Sequence, residues 1–371
     1  MTALAPQRFD LRDQLLNVHD DDVHALCKIE RSGRTFLISG SKDCTVRSHE
    51  WTESGRKPAG RILAEPRERK YQCWITALDA FSDGSWVAAS RNGFLRCCDL
   101  TARKSYYIGF PFSPTSTHAY AYKDRNQNRI MSVFCLNKRS DLTQFHCLIG
   151  YPESFCQFDL TTQRVVRTFN FHASQWVYGF CPIRPTLIAV IHGTNLSVLS
   201  ETGESWEIAT RLVQGARVPS GTQVPFISSI FPMLDVSAVV STVALSYFGG
   251  RTEVRDVERG RIIHSAHEHT GRVWQSLPFI PNCYASCADD QTIKIWDIRL
   301  PESVSTSDRH PGRVSALCFL SSSSFVAASC PDDLASTTER AAFYHYDLRA
   351  LATPLSPPTP IAEREATPAP A

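Results

Sequence analysis

His269-Thr270-Gly271-Arg272-Val273 opens a stretch that runs on through Ser286-Cys287-Ala288-Asp289-Asp290 and closes on Gln291-Thr292-Ile293-Lys294-Ile295-Trp296-Asp297. Apolar residues alternate on either side of short polar turns, the period-two pattern of successive antiparallel strands. Four positions define the unit. A His lies four residues before an apolar strand start, and a Ser four residues before a turn Asp. An aromatic lies six residues after that Asp, with an acid next to it.

The spacing recurs on both sides. Toward the N-terminus, His19 precedes Val23, Ser39 precedes Asp43, and His49-Glu50 fill the last two positions. Toward the C-terminus, His310, Val314, Ser329 and Asp333 repeat it, with Tyr346-Asp347 delayed by an insertion. Weaker copies lie between: Asn92 ahead of Cys98-Asp99, closures at Phe158-Asp159 and Arg255-Asp256, and a strand pattern from Trp176 to Ser200 around Gly193. Turns near 43, 92, 152, 193, 249, 290 and 333 make seven units. Their spacing of roughly 40 to 60 residues leaves room for four short strands each.

The unit ending Ile295-Trp296-Asp297 resembles the WD40 repeat, and the resemblance extends over about residues 8–349. It implies an all-β fold for residues 1–350: a seven-bladed propeller of radial four-stranded sheets around a central channel. The last unit stops after its third strand, at 343–348, whereas Arg8 to Leu16 is a spare, partly alternating segment. That N-terminal strand is therefore expected to supply the missing outer strand and cover the open edge. Residues 351–371 hold six prolines and almost no apolar bulk, and are expected to form a disordered tail.

Composition narrows the function classes. Lys and Arg number 39 against 37 Asp and Glu, a net charge of +2, which speaks against a protein built to coat nucleic acid. No run approaches the ~18 apolar residues of a membrane span, and Met1 to Gln14 lacks the apolar core of a signal peptide. The 13 cysteines are scattered, several within apolar runs (Cys27, Cys147, Cys318). They read as buried thiols rather than a disulfide framework. The expectation is a soluble protein of the cytoplasm or nucleus, with no nucleic-acid partner and no membrane insertion.

The recurring Ser, His and Asp resemble a hydrolase triad. A catalytic Ser needs an exposed hydroxyl and an oxyanion site, and three copies in one chain are not three active sites. The family resemblance implies instead a buried hydrogen-bond network within each blade, made of His19, Ser39 and Asp43, of His269, Ser286, Asp290 and Trp296, and of His310, Ser329 and Asp333. His264, His267 and His269 form the densest imidazole group but lack spaced Cys partners, so no metal is expected. No phosphate-cradling Gly loop or dinucleotide fingerprint is present. No cofactor and no catalytic set are expected.

The resemblance also implies a rim for partner binding: the residue just after the apolar start of each inner strand. Those residues are His24, Thr76, Met131, Tyr178, Ser228, Trp274 and Ser315. Tyr178 and Trp274 stand out as anchors, since aromatics dominate interface hot spots; for Trp274 the competing reading is packing into its own blade. Asp20, Asp21 and Asp22 lie beside this rim and suggest a negative edge suited to a peptide with a basic residue. The expected function is a non-enzymatic scaffold that binds peptide segments of other proteins on this face. Two alternatives stand beside it. Arg299 and Arg349, each two residues after Asp297 or Asp347, resemble the motif by which some propellers dock on the adaptor of cullin-RING ubiquitin ligases, which would make the chain a substrate receptor. The other is an enzyme or ligand-binding propeller.

Overall fold

The computed structural model describes residues 9–52, 55–56, 60–64, 74–81, 83–91, 93–98, 105–109, 130–136, 146–162, 164–171, 176–184, 186–202, 205–213, 226–233, 242–332 and 340–349. Asn92, Asp333 and the Pro-rich segment 351–371 lie outside them.

The described strands form seven antiparallel sheets. Blade 1 holds Val23–Arg31, Arg34–Ser41 and Thr45–Thr52, with Gly55–Arg56 and Gly60–Ala64 both on its outer side. Blade 2 runs Ile75–Ala80, Trp86–Ser90, Phe94–Cys98 and Ser105–Gly109; blade 3 runs Ser132–Cys135, His146–Tyr151, Ser154–Asp159 and Arg164–Asn170. Blade 4 is Val177–Arg184, Leu187–His192, Asn195–Thr202 and Ser205–Val213. Blade 5 is Ile227–Pro232, Thr242–Tyr247, Thr252–Asp256 and Ile262–Ala266. Blade 6 holds Val273–Ile280, Cys283–Ala288, Ile293–Asp297 and Ser305–Thr306. Blade 7 is Val314–Ser321, Ser324–Ser329 and Ala341–Asp347, with Asp10–His19 as its outer strand. The first strand of each blade touches the first strand of the next, and that of blade 7 touches that of blade 1, so the inner strands close a ring.

Burial follows strand position. The second strands are buried on both faces; Cys283–Ala288 has no exposed residue, nor has Trp86–Ser90. They read as continuous runs of small and apolar residues because a neighbouring sheet covers each side. The outer strand Arg164–Asn170 is mostly exposed. Seven apolar clusters result, one in each gap between blades. Ala285, Cys287 and Ile295 of blade 6 meet Leu317, Phe325 and Ala327 of blade 7, while Tyr284 and Trp296 face Ala244 and Val254 of blade 5. Cys27, Cys147 and Cys318 are buried in such gaps. The sheets approach so closely that a Cβ on Gly150 of blade 3 would meet the Val177 carbonyl oxygen of blade 4 at 2.8 Å.

Asp10–His19 pairs along Ala341–Asp347 from Asp10 opposite Asp347 to His19 opposite Ala341, with irregularities on either side of the central run. Phe9, just ahead of it, is buried, its ring 5.1 Å from Tyr346 and 5.8 Å from Phe325. Arg12 forms an ion pair with Asp347. Phe9 thus pins the strand to the core between blades 6 and 7. Replacing it, Phe9→Ala, is expected to destabilise the protein by about 3 kcal/mol, measured by denaturant unfolding; a loss below about 1 kcal/mol would mean that the strand is held by its edge pairing alone.

Candidate functional site

The Ser, His and Asp side chains come together at the turns of blades 6 and 1, where in blade 1 the His ends the outer strand of blade 7. In blade 6, His269 Nδ1 donates to Asp290 at 2.8 Å and its Nε2 accepts from Ser286 Oγ at 2.7 Å, which in turn accepts from Trp296 Nε1 at 2.7 Å. Asp290 also accepts from the backbone N–H groups of Thr270 and Thr292. Blade 1 repeats this: His19 Nδ1 meets Asp43 at 2.9 Å, and its Nε2 meets Ser39 Oγ at 2.8 Å. Burial alone would raise the carboxyl pKa of Asp43 and Asp290, but the paired imidazole, a Thr hydroxyl and backbone N–H groups outweigh it and hold both well below the usual range. Ser39 and Ser286 are fully buried, so neither hydroxyl can reach a substrate.

Blade 7 departs from the expected pattern. Ser329 Oγ donates to the Gly312 carbonyl at 3.0 Å rather than to His310. His310 Nε2 accepts from Tyr346 at 2.7 Å, and its Nδ1 donates to the Gln291 carbonyl of blade 6 at 3.0 Å. A phenol reaches the imidazole directly, so no bridging Ser is needed. In blade 1, His49 holds the position of Trp296; it is buried against Phe343 at 5.1 Å, and neither ring nitrogen has a partner. The three-imidazole group disperses: His264 donates to the Leu300 carbonyl and His267 to that of Gly249, while His269 stays in its network. Among the described residues no group of His, Cys, Asp or Glu is arranged to hold a metal ion.

Val273 pairs with Ala288 and Cys283 with Asp297, so the start of the inner strand and the end of the third strand lie at opposite ends of a blade. Arg299 and Arg349 therefore sit on the face away from the rim residues. Both are exposed, and each folds back onto the Asp two residues before it.

All seven rim residues line one central cavity of about 880 Å³. They divide by chemistry. Thr76 Oγ1 donates to the Ile130 carbonyl at 2.7 Å, Ser315 Oγ to the Val23 carbonyl at 2.6 Å, and Ser228 Oγ to the Val273 carbonyl. Each of these hydroxyls latches its blade to the start of the next. In blade 3 the latch is Ser132, which donates to the Val177 carbonyl at 3.0 Å, not the neighbouring Met131. His24, Met131, Tyr178 and Trp274 remain as side chains whose bulk faces the cavity.

Trp274 unites both expectations. Its Nε1 donates to Asp289 of its own blade at 2.6 Å, and it packs against the gap between blades 6 and 7, yet it lines the cavity. The sequence reading passed over its neighbours. Trp74, Trp176 and Arg272 each stand one residue before an inner-strand start, and Arg91 and Phe248 follow a second strand. The signal was present: a large or charged residue directly before Ile75, Val177 and Val273. The Arg91 guanidinium lies 4.1 Å from the Trp74 ring, and that of Arg272 lies 3.6 Å from both Phe248 and Trp274. His24 sits between Trp74 and Trp274, at 5.9 and 6.3 Å.

Of the three aspartates, Asp20 is exposed, but the other two are matched by cations. Asp22 is buried and pairs with Arg313 at 3.2 Å, and Asp21 pairs with Lys42 at 3.3 Å. Burial lowers the Arg272 pKa to about 10, which leaves it cationic at neutral pH.

The sequence comparisons agree with this architecture. The family model described as "WD domain, G-beta repeat" matches residues 12–49 and 260–297. Two stretches of the chain thus match the WD40 repeat. The first matched repeat spans the outer strand of blade 7 and most of the first three strands of blade 1; the second ends on Asp297. Among solved structures, the crystal structure of the WD40 β-propeller domain of Doa1 matches with a TM-score of 0.66, 12% identity, and coverage of 92% of this chain and 97% of that one. At that identity the likeness is one of fold. No curated protein matches the chain.

The buried Asp and His side chains give two predictions. Asp290→Ala should cost about 2–4 kcal/mol in chemical denaturation, because His269 and two backbone donors lose their acceptor; a cost under about 0.5 kcal/mol would remove the network's structural role. Burial also lowers the pKa of His24, His49 and His192 from 6.5 to about 4. Below pH 6.5 the unfolded chain binds protons that the native imidazoles refuse, so stability falls as pH drops through this window. The melting temperature should decline from pH 6.5 to about 4, with a shallower decline in His49→Phe, whereas a flat profile would contradict the assignment.

Proposed function

We propose that the protein is a non-enzymatic interaction scaffold whose cavity face receives a peptide segment of a partner protein. WD40 propellers in general serve as protein-interaction scaffolds, and the polar sets that resemble catalytic triads here are closed, buried networks. The convergence of His24, Tyr178, Trp274 and their aromatic neighbours on one cavity of about 880 Å³ carries the reading. A concave, apolar-lined site with a few placed polar groups is the usual form of a ligand site, and amphipathic aromatics at its mouth are the residue types that dominate binding hot spots. The adaptor-docking alternative draws little support, because Arg299 and Arg349 are already engaged by Asp297 and Asp347.

Selection of phage-displayed random dodecapeptides on the full chain tests the proposal. Selected peptides should lose about tenfold or more in affinity, or about 1.4 kcal/mol, on Tyr178→Ala and on Trp274→Ala, read by fluorescence anisotropy at temperatures where each variant is folded. Failure to select any peptide, or unchanged affinity on both variants, would overturn it.

A further inference from the structure

The rings of Trp74, Phe248 and Trp274 at the cavity mouth are already matched with the protein's own cations. Arg91 covers Trp74 at 4.1 Å, with Lys42 Nζ 5.1 Å from the same ring. Arg272 covers both Phe248 and Trp274 at 3.6 Å. An aromatic cage for a ligand cation needs open π faces, and here a cationic side chain would meet like charge instead.

The local cations differ in their counter-charges. Lys42 has Asp21, and Arg313 has Asp22. Arg272 forms no ion pair among the described residues, and its buried Nε donates to nothing. Asp289 acts on Arg272 electrostatically, but the hydrogen bond shown to its carboxylate comes from Trp274 Nε1, not from the guanidinium. Stacking satisfies the flat faces of a guanidinium, but its N–H groups point outward along the edge and need acceptors. Arg272 is thus a half-desolvated cation, braced between two rings at the mouth of a cavity, whose edge donors make no hydrogen bond to a carboxylate among the described residues.

We propose that this cavity recognises an acidic peptide segment, with the edge of Arg272 receiving one Asp or Glu carboxylate of the partner beside an apolar or aromatic residue seated against Trp274 and Tyr178. The inference rests on the peptide-docking reading of the same cavity and reverses the preference for a basic peptide suggested by Asp20, Asp21 and Asp22. A carboxylate fits better than a phosphate because one unpaired guanidinium balances one negative charge, whereas a phosphorylated side chain carries nearly two. Arg–carboxylate pairing in a partly desolvated site is directional and frequently bidentate, so the preference should be for shape as well as charge.

The test uses the full chain on arrays of dodecapeptides with randomised, uncharged flanks around one fixed central residue: Glu, Gln, Lys or phosphoserine. The Glu pool should bind about tenfold or more above the isosteric Gln pool, a difference of about 1.4 kcal/mol, with the margin shrinking at high salt. Arg272→Gln, with an unchanged melting curve, should erase the difference between Glu and Gln pools. Should that variant fail to fold, the Glu-against-Gln margin of the parent and its collapse with salt decide alone. Equal binding of Glu and Gln pools, preference for Lys, binding of phosphoserine pools only, or a folded Arg272→Gln that keeps the Glu margin would each overturn the assignment of Arg272 while leaving peptide docking intact. Absence of binding by every pool would instead remove the docking reading, and this inference with it.

Discussion

Each sheet has two apolar faces, and the described residues place no layer of helices over either. The second strands show the constraint most directly: Trp86–Ser90 and Cys283–Ala288 are buried along their whole length, so a neighbouring sheet has to stand on each side. A row of such sheets ends in two uncovered faces unless it closes. The closed ring of inner strands answers that requirement, and the apolar interior is divided among the seven gaps rather than gathered at one centre. Blade 7 completes its sheet with Asp10–His19, so one blade joins strands from the two ends of the described chain and the unpaired edge of Ala341–Asp347 disappears.

The polar chemistry serves the same closure. Ser132, Ser228, Ser315 and Thr76 satisfy carbonyls at the start of the next inner strand, which binds neighbouring blades where they converge most closely. The His networks hold blade turns, in blades 1 and 7 with a contact from the neighbouring blade, and vary with the residue available. Trp296 reaches His269 through Ser286, while Tyr346 reaches His310 without a Ser. His49 occupies the Trp296 position without making the bond. A buried polar group left unmatched is costly, and blade 1 still has the His19–Asp43 contact to hold its turn.

The cavity follows from this packing. Inner strands that meet in a ring leave space on the axis, and the residues flanking each strand start surround it. Small hydroxyl residues among them are consumed by latching, whereas His24, Tyr178, Trp274 and Arg272 are too large for that role and face the opening. Stacking between Phe248 and Trp274 compensates part of the cost of burying Arg272, but it leaves the edge of the guanidinium without an acceptor. Electrostatics at the mouth is therefore set by which charges find partners, not by how many acids lie nearby in sequence.

The repeat architecture was legible because strand alternation, turn residues and the His–Ser–Asp–Trp spacing are local. Residues 269–297 contain a whole blade's network, and the position after each strand start pointed to the cavity wherever the period-two pattern survived. Local spacing also identified His310 and Ser329 as a pair, where the structure separates them, because the Tyr346 hydroxyl arrives from a strand the insertion had displaced. The charge of the rim was not legible. Asp21 and Asp22 read as free acids until Lys42 and Arg313 came to them from 21 and 291 residues away. Arg272 and Phe248 belong to different blades and meet only when blades 5 and 6 pack together. Sequence by itself determined the strands, their turns and the full network of blade 6, all set by neighbours along the chain. The tertiary structure decided which hydroxyls became latches, which charges were neutralised and which cation was left without a partner, because those outcomes depend on contacts between blades that no local spacing encodes.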